Sequence, residues 1–233
     1  MSGVGPKEQL VSLKKSLTRS LDESGEQRVL DCQSACSSVL HWISYIRGSE
    51  LSGNCDNLVD ALQGGAIETA GCIAMGLVRP ALFSLRSQID LAVAWLFYKD
   101  HPVEWESVVR TGEGFLLKRD VFEHFSKYRN QFSPRLELLD KHKNRKLSDP
   151  YRVLSAHIHG QSSLVVPKFR KLHELIYPAS RCDEAVKLQA EVAEYISDIF
   201  LAYFGDKWAS LPSEVIASVQ LRVPADKLPA LFS

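Results

Sequence analysis

Apolar residues recur at spacings of three, four and seven along most of the chain, and no segment alternates with period two. That combination directs a sequence to helices packed against helices, because only a 3.6-residue period puts such positions on one face. Between residues 26 and 47, Val29, Leu30, Val39, Leu40, Ile43 and Ile46 form one such face, and Gly48 follows as a stop. A second helix is expected from Asn54 to near Gly76, where Gly64, Gly65 and Gly71 lower its propensity and point to close packing. A third opens at Pro80 and carries Leu82, Leu85, Ile89, Val93, Leu96 and Phe97 on a wide apolar face that ends at Pro102.

Shorter helices are expected at 118–128 and 134–140, separated from what precedes them by the turn at Thr111, Gly112, Glu113 and Gly114. Ser148, Asp149 and Pro150 read as a helix start, through a capping hydroxyl, an acidic group at the positive helix end and a proline in the first turn. Gly160 reads as the stop of that helix. After a loop and the segment 166–176, residues 183–204 give another long amphipathic helix. The reading is all-α: an N-terminal helix over 1–24 appended to a single-domain helical bundle over 25–205, then a tail over 206–233 with one short helix.

Lys plus Arg number 28, as do Asp plus Glu, so no global basic field exists to hold nucleic acid and any such contact depends on a local patch. Cys32, Cys36, Cys55, Cys72 and Cys182 are an odd set in a chain too large to need staples, which implies a reducing, cytoplasmic setting. Glu68, Arg79 and Pro80 interrupt the most apolar stretch, so no membrane span is expected. Cys32 and Cys36 share a helical face, but no second ligand pair follows, and core packing accounts for them without a metal. Gly-rich phosphate loops, a nucleophile elbow and a His-Glu-x-x-His helix are all missing, and no cofactor is called for. His101 and His124 read as surface residues and His41 as partly buried.

The chemically suggestive stretch is Tyr151 to Gly160, which holds Arg152, Ser155, His157 and His159. At roughly 100° per residue, His159 falls about 20° from Arg152 and His157 about 140° away. Ser155 lies on the Arg152 side, so Arg152, Ser155 and His159 form a polar stripe. Guanidinium holds phosphate oxygens and a neutral imidazole moves protons, a pair suited to cleaving RNA at the phosphodiester beside its own 2′-hydroxyl. Just upstream, Lys141, Lys143, Arg145 and Lys146 make a basic run able to meet a nucleic-acid backbone.

An Arg followed after four to six residues by a His near the start of a late helix resembles the signature of the HEPN superfamily. His157 meets the shortest spacing and His159 the longest. The wording from Leu154 to Gly160 resembles a branch with Leu-Ser before a His-Gly pair, which favours His159. Leu85-Arg86-Ser87 with Asp90 resembles that branch's Leu-Arg-Ser plus acidic residue on an earlier core helix, where Arg86 and Asp90 support the site. The resemblance implies a helical bundle, commonly a homodimer, acting as a metal-independent endoribonuclease in bacterial antiviral defence or toxin systems. It equally admits a non-catalytic module that binds RNA or a partner protein within an assembly.

Overall fold

A computed structural model describes residues 5–161, 166 and 168–232, and among them the chain is helical with no strand. Eleven α-helices are described: α1 Pro6–Ala35, α2 Ser37–Ser49, α3 Asn57–Ala74, α4 Val78–Tyr98, α5 Pro102–Thr111, α6 Lys118–Tyr128, α7 Phe132–Lys141, α8 Pro150–His159, α9 Ala179–Phe204, α10 Ser213–Arg222 and α11 Leu228–Phe232. Two 3-10 turns, Leu172–Leu175 and Gly205–Ser210, complete the list. None of the described helices is long and apolar enough to cross a membrane.

The chain divides into two compact units, with cuts inside α3, α4 and α9, between α1 and α2, and just before α8. The first unit comprises residues 1–36, 64–87 and 149–190. Its α1 runs unbroken through the expected boundary at residue 24. Gly25 costs such a helix about 1 kcal/mol relative to Ala, yet tertiary contacts hold α1 in place. Buried Arg28 donates to Ser20 Oγ at 2.9 Å, and Ser20 Oγ donates to the Ala74 carbonyl at 3.1 Å. At the crossing of α3 and α4, Thr69 and Ser84 both donate to the Gly65 carbonyl at 2.9 Å. Gly76 has φ +79°, and an added Cβ would lie 2.7 Å from Ile176 Cγ2, so glycine is required where the Tyr177 N–H bonds its carbonyl.

The second unit comprises residues 37–63, 88–148 and 191–233. The helix expected over 26–47 is broken at Cys36, whose φ of −98° and ψ of 7° end α1 before α2 begins. Serines flank that break, and Ser38 bonds the Ala193 carbonyl in this unit. Trp42, Trp95, Phe200 and Phe204 form its aromatic core, with Trp42 Nε1 donating to Ser197 Oγ at 2.9 Å. The tail carries a 3-10 turn and two helices where one helix was expected, and the apolar face of α10, Val215 and Val219, is buried. All five cysteines are unpaired and buried. Burial pushes the Cys32 thiol up to about 12 and Cys55 to about 11, so neither supplies a thiolate near neutral pH.

Candidate functional site on α8

Helix α8 has the expected ends. Pro150 occupies its first turn, and Gly160 closes it in the left-handed region at φ 59° with its N–H on the Ala156 carbonyl. Asp149 is the N-cap residue, but no side-chain capping hydrogen bond forms. Leu154 is fully buried and fixes which way the helix faces. Arg152 and His159 are both exposed, in keeping with their shared direction, whereas Ser155 and His157 are partly covered.

Arg86, half-buried on α4, reaches α8 and joins the two stretches that carry the resemblance. Its Nε donates to Ser155 Oγ at 3.1 Å and its Nη2 to Tyr151 Oη at 2.6 Å, with the guanidinium carbon 4.7 Å from the Tyr151 ring centroid. Ser155 is therefore held by Arg86 and is not a free member of the Arg152 and His159 stripe. That contact spans 69 residues in sequence, so no local pattern announces it. Asp90 lies one helical turn beyond Arg86 on α4 and is also half-buried.

His157 points away from Arg152 and lines a cavity together with Arg79 and Arg181. Burial lowers its pKa below the ordinary imidazole value, and the positive charges of Arg181 and Arg79 push the same way. The imidazole is thus neutral near pH 7 and able to accept a proton.

The basic run before α8 needs a correction. Arg145 is not a surface cation: its side chain is 1% exposed and pairs with Asp198, with Asp140 at 3.0 Å and with Glu194 at 3.5 Å. Burial raises the Asp198 carboxyl above the usual carboxylate range, and the Arg222 and Arg145 guanidiniums oppose that rise. The connection itself is strapped to α9, since Glu194 accepts the N–H groups of Asn144 and Arg145, and Glu191 those of Lys146 and Leu147. Lys143 turns back to the Asp140 carbonyl at 2.9 Å, which leaves Lys141 and Lys146 as the exposed cations of the run. Sequence reading missed this network. Its one local signal is Asp198, the single charged residue from Tyr195 to Phe204 at the apolar end of α9.

His101 and His124 are likewise half-covered rather than plain surface residues. The His101 ring stacks on Phe97 at 3.9 Å and meets His124 edge-on at 5.0 Å. Among the described residues no group of three His, Cys, Asp or Glu side chains converges to hold a metal. In comparisons with known protein families, characterised proteins and solved structures, nothing matches this chain.

Proposed function

We propose that this chain is a HEPN-like protein that cleaves RNA without a metal, using the exposed flank of α8. The observation that carries the reading is the Arg86 contact, which seats the Leu-Arg-Ser stretch of α4 on the Tyr151 to Gly160 stretch of α8 through Tyr151 and Ser155. With Ser155 held, Arg152 and His159 are left facing solvent on one side of a helix whose orientation is set by buried Leu154.

In this reading Arg152 holds a phosphate oxygen of the scissile bond, and His159 transfers the proton. The 2′-oxygen attacks phosphorus as the bond to the 5′-oxygen breaks, giving a 2′,3′-cyclic phosphate and a 5′-hydroxyl. Arg86 touches no substrate and acts as a positioning residue for α8. Lys141 and Lys146 supply the surface charge toward the RNA backbone; buried Arg145 does not. A homodimer that faces two copies of α8, and a role in bacterial defence or toxin systems, follow from the resemblance alone.

The test is cleavage of a labelled single-stranded RNA in excess EDTA. The wild-type chain is expected to release cyclic phosphate ends, and Arg152→Ala and His159→Ala to slow cleavage by about 100-fold or more, with unchanged circular dichroism. Dependence on added metal, or full activity in both variants, overturns the reading. Binding of RNA without cleavage would favour the non-catalytic module.

A further inference from the structure

The other flank of α8 opens onto a cavity of about 630 Å³ within the first unit, a size suited to a small molecule. Val78, Leu82, Phe169 and Leu188 give it apolar walls, and His157 closes one side. Arg79, Lys168 and Arg181 also line it. Among the described residues, neither Arg79 nor Lys168 has a carboxylate partner. The Arg79 guanidinium carbon lies 5.1 Å from the centroid of the Phe83 ring.

The two carboxylates of the cavity are already engaged. Glu174 accepts the N–H groups of Arg170 at 2.6 Å and Lys171 at 3.3 Å, and Glu184 pairs with Arg181 at 2.7 Å. That last pair is exposed on both sides, so it is weak and yields readily to a competing anion. An apolar chamber with unpaired cations suits a ligand that has one anionic end and one apolar body, since either part alone would leave half the lining unsatisfied. A nucleic-acid backbone, polar along its length, does not fill such walls.

We propose that this cavity binds a small amphipathic anion, its carboxylate or phosphate head held by Arg79, Lys168 and Arg181 beside His157 and its apolar body against Leu82, Phe169 and Leu188. The proposal stands apart from RNA cleavage and does not depend on it. Burial is the main cause of the depressed His157 basicity, and the charges of Arg181 and Arg79 add to it; a bound anion would offset the part due to those two cations.

The experiment is calorimetry on the full chain with octanoate and with phenyl phosphate, which separate a carboxylate head from a phosphate head. Octanol, phenol and inorganic phosphate serve as comparisons that lack one half of the ligand. At least one anionic probe is expected to bind with a Kd below about 1 mM, and its neutral counterpart and free phosphate at least tenfold more weakly. Arg181→Gln, at an exposed position, is expected to weaken binding about tenfold, and Leu188→Trp to abolish it by filling the chamber. The His157 ring, followed by NMR, should titrate at higher pH with the probe bound. Failure of both anionic probes, equal binding of the neutral ones, or indifference to Leu188→Trp in a folded protein overturns the proposal.

Discussion

Arg86 makes two charge-assisted hydrogen bonds to α8 from a half-buried position, so its removal takes a donor from a tyrosine and a serine hydroxyl that water reaches only in part. Arg86→Ala is expected to lower stability by about 1–3 kcal/mol, read as a shift in denaturant midpoint. Arg86→Lys should recover little of this, because an ammonium cannot serve both hydroxyls through a planar fork. His157 gives a second residue-scale test. Its folded pKa is depressed, so between that value and the ordinary imidazole value near about 6.5 the unfolded chain binds more protons than the folded one. Stability therefore falls as pH drops through that window and is fully present above it. His157→Gln should shrink the loss of stability between about pH 7.5 and pH 5.5, leaving the part that His124, also depressed by burial, contributes. An unchanged pH slope would show that the His157 ring is not desolvated as described.

At the scale of elements, α8 was legible from its sequence because its limits are local. Pro150 tolerates the first turn, and Gly160 takes a left-handed φ that a Cβ resists. Gly160→Ala is accordingly expected to cost about 1–2 kcal/mol, with thermal melting as the check. The connection before α8 was misread for the opposite reason. Four basic residues in six positions look like a solvated patch until Asp198 and Glu194, about fifty residues away in sequence, are placed against Arg145. Arg145→Ala leaves Asp198 buried with one fewer cation and is expected to cost about 3–5 kcal/mol. Lys141→Ala and Lys146→Ala, at exposed positions, should change stability by less than about 0.5 kcal/mol and lower affinity for RNA. Equal effects from all three would contradict the division into one structural and two surface cations. The break at Cys36 was invisible to periodicity because the apolar positions continue across it in nearly the same phase.

For the whole molecule, the all-helical class followed from pattern alone, but the arrangement of its parts did not. A 30-residue α1 reads as two pieces around Gly25, since local propensity takes no account of the contacts that Ser20 and Arg28 make with residues far along the chain. The division into two units is equally hidden, because three of its cuts fall within helices rather than between them. On the functional side, periodicity alone separated the two histidines, and the structure gives each a different setting: His159 exposed on the Arg152 side of α8, His157 half-buried against the cavity. The measurement that bears most directly on the proposed function is the rate of RNA cleavage in EDTA by His159→Asn and His157→Asn proteins of matched folding. The account predicts that His159→Asn loses about 100-fold or more while His157→Asn stays within a few-fold of wild type. Loss in His157→Asn with retention in His159→Asn would contradict it.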